Sequence, residues 1–201
     1  MTLLDRLAAL VIGAFTILGQ FQLYLWCQRH SLGRRRSLEI SADGWFGYHS
    51  SWVFVYTGLY FVGVAVLLLN LQDFEQLAYV LLANFLLFIV HVPFFVWFPV
   101  ATPPAWRRPA RRQGWSEKIL QIVQRIDERS NSFPSFHVSS AMLYALLAQK
   151  IIPDLWPFVL AFPLLIALST LYVKQHFVLD ALAGLTVGLI VFTLFEPFLP
   201  L

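Results

Sequence analysis

The sequence predicts an all-α membrane protein, a bundle of six transmembrane helices, from three observations. Apolar residues make up 59% of the 201 positions and charged residues only 12%, where a soluble domain carries about 45–50% and about 25%. The excess is gathered into uncharged runs of about 18 residues or more, the length of a bilayer crossing. Those runs lack the alternation of strands, and backbone polar groups in hydrocarbon must be satisfied within the segment, so helices are the default.

The runs fall at about 7–27, 53–70, 76–100, 136–152, 156–173 and 178–199, and residues 1–201 read as a single membrane domain. The first, Leu7 to Trp26, is longer than the apolar centre of a secretion signal, about 7–15 residues. No small-x-small cleavage site follows it, and Asp5 and Arg6 both precede it, so it reads as a retained helix. Cys27 at its end is the lone cysteine. It excludes an internal disulfide and reads as a small buried hydrophobe. In the third run, Pro93 and Pro99 predict a bend. His91 and Asn84 put polar groups at membrane depth, where hydrogen bonding inside the bundle is expected. Ala141, Ala145 and Ala148 in the fourth run, and Gly184 and Gly188 in the sixth, provide small faces for close helix approach.

Six crossings leave both termini on one side with the short turns at 71–75 and 153–155. Of the fourteen Lys and Arg residues, only Arg6 and Lys150 fall there. The other twelve lie in the segments 28–52, 101–135 and 174–177, which the positive-inside rule places in the cytoplasm. Arg34, Arg35 and Arg36 form a cluster suited to anionic headgroups. Trp45, Trp52, Trp106 and Trp115 read as anchors at headgroup level.

Chemistry concentrates in two short segments on that basic side. Asn131-Ser132-Phe133-Pro134-Ser135-Phe136-His137 opens the fourth span. Pro134 suits a first helical turn and Ser132 an N-cap, and a helix N-terminus attracts anions. Lys174-Gln175-His176-Phe177-Val178-Leu179-Asp180 opens the sixth. At helical spacing, His176 and Asp180 face the same way, so the carboxylate can hold one imidazole N–H and free the other nitrogen for attack. Two histidines, a carboxylate, a helix N-terminus and nearby cations are what phosphoryl transfer through a covalent intermediate requires.

These stretches resemble the type 2 phosphatidic acid phosphatase (PAP2) superfamily, whose motifs are K-x6-R-P, P-S-G-H and S-R-x5-H-x3-D. Pro134-Ser135-Phe136-His137 is similar to the second motif, with Phe136 in place of glycine. Ser169-Thr170 with His176 and Asp180 is similar to the third, with Thr170 in place of arginine. Arg108-Pro109 matches the end of the first, but Ala101 stands where its lysine is expected. The resemblance implies His176 as nucleophile, Asp180 as its orienting partner and His137 as general acid. It also implies phosphate contacts from Ser135. Lys174, Arg107 and Arg108 are the candidates for the phosphate-binding charge, with Lys174 standing in for the absent arginine. The Lys-Gln-His-x3-Asp form resembles the branch near inositol phosphorylceramide synthases, in which an alcohol can replace water as acceptor.

The expected function is hydrolysis of a lipid phosphate monoester or diphosphate through a phosphohistidine. The alternatives are a transferase moving the phosphoryl headgroup to a lipid alcohol, and a silent transporter or scaffold. Retention of His137, His176 and Asp180 argues against silence. The expected partners are the lipid substrate and membrane lipids, with no nucleic acid. No cofactor is expected, nor a metal, because the acids on the basic side are scattered. The charge count puts the site on the cytoplasmic face of a plasma or inner membrane. The resemblance pulls the other way, because many bacterial relatives act on the outer face.

Overall fold

A computed structural model describes residues 1–107, 114–127 and 130–199, with Arg107 described in its backbone alone. Among the described residues the chain is helical, and each of the six apolar runs coincides with helix. The elements are α1 (Leu3–Arg29), α2 (Tyr60–Leu69), α3 (Phe74–Trp97), α4 (Trp115–Ile126), α5 (Phe136–Ile151), α6 (Ala161–Tyr172) and α7 (Val178–Phe195). A tight turn and a π-helical segment, Phe54–Leu59, lead into α2, so that helix runs over Ser50–Leu69. Five helical stretches are long and apolar enough to cross a membrane: Leu3–Arg29, Ser50–Leu69, Phe74–Trp97, Pro153–Tyr172 and Val178–Phe198. The protein is therefore an integral, multi-pass membrane protein. At 16 residues α5 is shorter, about 24 Å long at 1.5 Å per residue.

Local chemistry sets the helix ends. Thr2 and Asp5 exchange side-chain and backbone hydrogen bonds to start α1, and Asp73 accepts from the Gln76 N–H to start α3. At the other end of α2, the Arg6 guanidinium donates to the Leu69 carbonyl at 2.7 Å. Large apolar side chains such as Phe15, Leu18, Phe61, Leu82 and Leu194 remain exposed around the outside. On a soluble protein such a surface would aggregate; here it faces lipid.

The short α5 occupies the middle, packed against α2, α3, α6 and α7. Its closest neighbour is α7, and glycine is the reason. A Cβ on Gly184 would lie 2.6 Å from the Ser135 carbonyl oxygen, and one on Gly188 would lie 2.4 Å from that of Ser139. His91 and Asn84 are consumed inside the bundle. The His91 ring nitrogens meet the Leu87 carbonyl at 2.7 Å and the Ser139 hydroxyl at 3.0 Å. Asn84 donates to Gln20 Oε1 at 2.6 Å.

Two features differ from the sequence reading. Ser135, not Ser132, caps α5, accepting from the Val138 N–H, because Ser132 donates its hydroxyl to the Val100 carbonyl, and Pro134 accordingly stands one residue before the cap and not in the first helical turn. The basic segment 101–135, which the sequence offers only as a connection between spans, contains α4, an amphipathic helix. Its Leu120 packs on Val53 and Val173, and its buried Glu117 accepts from the Tyr48 hydroxyl at 2.8 and 2.9 Å. Burial and the hydrogen-bonded Glu117 carboxylate push the Tyr48 phenol pKa upward. Nearby, Arg36 pairs with Val100, and Val100 with Asn131, tying three inter-helix segments together over the bundle end.

Candidate active site

His176 lies in the turn between α6 and α7, one residue before the N-cap of α7. It is thus outside the helix, yet its Nδ1 still lies 3.5 Å from Asp180 Oδ2. The nearer partner of Nδ1 is the Ser132 carbonyl at 2.9 Å. A carbonyl only accepts, so Nδ1 carries the proton and Nε2 is the nitrogen with a free lone pair. Asp180 is fully buried, and its Oδ2 also accepts from the Phe177 N–H at 2.9 Å. One carboxylate thus starts α7 and flanks the imidazole.

His137 is the second residue of α5. Its ring is stacked between Tyr56 and Tyr60, with centroids 4.3 and 4.0 Å away. Its Nε2 donates to the Tyr56 carbonyl at 2.6 Å, which leaves Nδ1 as the second protonation site. The π-helical segment Phe54–Leu59 carries Tyr56. Such π turns frequently mark functional positions. Tyr60 in turn shares a 2.9 Å hydrogen bond with Ser140 on α5, which fixes the stacking ring.

Both histidines line one cavity of about 280 Å³. At the polar end its wall includes Asn131, Ser132, Asp127 and Gln175; farther in come Ile17, Phe21, Phe61, Phe88 and Tyr144. Ile17 is twelve residues before the end of α1, which corresponds to about 18 Å of helix. The cavity therefore reaches from the basic end to mid-bilayer depth.

The remaining sequence candidates are placed differently. Ser135 is fully buried at the helix cap, and its N–H donates to the Asp180 carbonyl at 3.0 Å, joining α5 to α7. The Lys174 ammonium donates to the Asp43 carbonyl at 3.0 Å and lies 4.4 Å above the Trp106 ring, away from the cavity wall. Burial holds its pKa below the usual lysine value, and the Asp43 and Glu39 charges offset only part of that. Arg107 ends the turn Pro104–Arg107. Arg108, Arg111, Arg112 and Arg129 lie outside the described residues. Of the four tryptophans read as headgroup anchors, Trp45 and Trp115 are exposed, whereas Trp52 stacks on Tyr172 and Trp106 packs on Phe177. Among the described residues no three His, Cys, Asp or Glu side chains converge on a point that could hold a metal ion.

Sequence reasoning missed Tyr56, Tyr60 and the Ser132 carbonyl. Tyr56 and Tyr60 are four apart in an apolar run and were open to recognition as one aromatic face. A backbone carbonyl leaves no trace in a sequence.

A multi-pass helical bundle with a tautomer-fixed histidine beside a buried carboxylate, and a second histidine across a shared cavity, defines a membrane phosphatase-type protein. A family model described as the PAP2 superfamily matches residues 22–194, and the chain belongs to that superfamily. No curated protein and no solved structure matches it.

Proposed function

We propose that the protein hydrolyses a lipid phosphate monoester or diphosphate, with His176 as the covalent nucleophile. The observation that carries this reading is the cavity holding His137 and His176, which continues past Phe61 and Ile17 to mid-bilayer depth. A phosphorylated headgroup at the histidines and an apolar chain below would fill it with matching chemistry.

In the first step His176 Nε2 attacks phosphorus and the phosphorus–oxygen bond to the lipid breaks. The departing oxygen keeps the electron pair and takes a proton from His137 Nδ1. In the second step water attacks the phosphohistidine and gives a proton back to His137. The phosphorus–nitrogen bond breaks, and its electron pair returns to Nε2. The Ser132 carbonyl and Asp180 stabilise the positive charge that His176 acquires as it bonds to phosphorus. Arg107 and Arg108 supply cations for the equatorial oxygens, Lys174 adds charge two residues from the nucleophile, and Ser135 holds the helix end that faces the phosphate. The site faces the cytoplasm, by the distribution of lysine and arginine.

The test uses purified protein in nanodiscs with phosphatidate, phosphatidylglycerophosphate, an isoprenyl diphosphate and a sphingolipid phosphate. Free phosphate and an acid-labile phosphoenzyme on His176 are expected. A new phospholipid formed only with added alcohol would make the protein a transferase. No turnover of any lipid would favour the silent reading.

A further inference from the structure

Asp43 lies in the loop between α1 and the helix leading into α2, more than 130 residues before His176, and belongs to no motif read from the sequence. It is nevertheless only 2% exposed. Its Oδ1 accepts from the Val178 N–H at 2.7 Å, and its Oδ2 closes its own turn by accepting from the Ile40 N–H at 2.8 Å. Its carbonyl accepts from the Lys174 ammonium at 3.0 Å. Those two partners bracket His176, Lys174 two residues before it and Val178 two residues after.

The remaining backbone N–H groups of that turn are bonded locally, and the His176 ring meets the Ser132 carbonyl at 2.9 Å. The Gln175 and His176 N–H groups converge on the Thr170 carbonyl at 3.0 and 3.4 Å, and the Phe177 N–H goes to Asp180. Lys174 has φ of +58°, a left-handed conformation that is unfavourable for a non-glycine residue. A strained turn persists only where its surroundings over-determine it. The internal bonds are local and would travel with the turn if it shifted. Asp43 supplies an outside reference, since its own segment is pressed on the end of α6. There the His49 N–H donates to the Tyr172 carbonyl at 3.0 Å, and Trp52 stacks on Tyr172 at 4.8 Å.

We infer that Asp43 is a positioning residue for the nucleophile, a carboxylate clamp that locks the 174–178 turn and thereby the attack line of His176. This rests on the phosphohistidine reading. Asp43 is absent from the cavity wall, so it acts on catalysis through His176 and not through substrate contact.

The test pairs kinetics with hydrogen exchange in nanodiscs. Asp43→Ala is expected to speed amide exchange across residues 174–178 by about tenfold or more, with the α5 amides unchanged. On the lipid phosphate that the wild type turns over, its kcat should fall about a hundredfold, as for a roughly 1 Å misplacement. KM should stay within about twofold. Asp43→Asn keeps one acceptor for two donors, so its kcat should fall between the other two. A kcat within about twofold of wild type in Asp43→Ala, a change in KM alone, or faster exchange throughout α5 and α7 would each overturn the inference. If the wild type turns over no lipid, the phosphatase reading fails while the exchange data still decide the clamp: unchanged exchange sinks it and faster exchange supports it. Should Asp43→Ala not fold, Asp43→Asn carries both measurements.

Discussion

Gly188→Ala adds one methyl group where the structure has no room for it. The new Cβ would lie 2.4 Å from the Ser139 carbonyl oxygen and 2.8 Å from Met142 Cβ. Ordinary contact begins near 3.4 Å, so about 1 Å must be found, and the obstructing atoms are backbone and Cβ rather than a flexible tip. Only a separation of α5 from α7 supplies it. Overpacking of this kind costs about 1–3 kcal/mol of stability. The same movement pulls Asp180, on α7, away from Ser135 and His137, on α5, and a displacement near 1 Å can cost about a hundredfold in rate. Gly19→Ala is the matched control, because a Cβ there meets nothing within 4 Å. It should stabilise by about 0.5–1 kcal/mol and leave the rate alone. The measurements are thermal unfolding in detergent and kcat on a lipid phosphate. A Gly188→Ala protein with wild-type melting and wild-type rate would refute the reasoning, as would equal damage from Gly19→Ala.

The histidines should separate by kinetic step. His176→Ala is expected to abolish both turnover and the acid-labile phosphoenzyme, and residual activity above about a thousandth of wild type would rule out a covalent role. His137→Ala should slow leaving-group departure by about 10²–10⁴-fold, measured as the rate of phosphoenzyme formation in rapid quench. Ile17→Trp narrows the deep end of the cavity and should raise KM for a long-chain lipid phosphate while sparing a short-chain analogue; equal effects on both would remove the chain from that channel.

The spans were legible because a bilayer imposes a crude requirement, uninterrupted apolar length, that composition alone reveals. α4 was not, because its polar residues dilute any long hydropathy window. Its signal is the helical spacing of Ile119, Leu120, Val123 and Ile126, visible only when periodicity is read over twelve residues. At the site, the sequence carries the identities of His137, His176 and Asp180 and the order in which they occur. It carries neither the carbonyls of Ser132 and Tyr56, which any residue can supply, nor the link from Asp43 to Val178, which only folding creates. The cap of α5 failed for a related reason. Ser132 and Ser135 are equally good caps by type, and the choice is made by the Val100 carbonyl, more than thirty residues away.

Orientation in the membrane turns on what the arginines are for. The proposed cytoplasmic placement of the histidine end rests on twelve basic residues against two, and it fails if those cations are present for phosphate. The cluster at the end of α1 separates the two explanations. Arg34 and Arg35 are exposed, and the Arg36 guanidinium lies 4.3 Å over the Phe98 ring. None of the three lines the cavity. Discounting every cation in 101–135 and 174–177 still leaves Arg29 and Arg34–Arg36 against Arg6 and Lys150, which keeps the sign. Gly114→Cys in a Cys27→Ser background tests this on a residue that is exposed and has open space for a side chain. Asp154→Cys, also exposed, reports the opposite end. A membrane-impermeant thiol reagent should label position 154 in intact cells and position 114 only after permeabilisation. The reverse pattern would put the histidines outside and assign the basic residues of 101–135 to the phosphate.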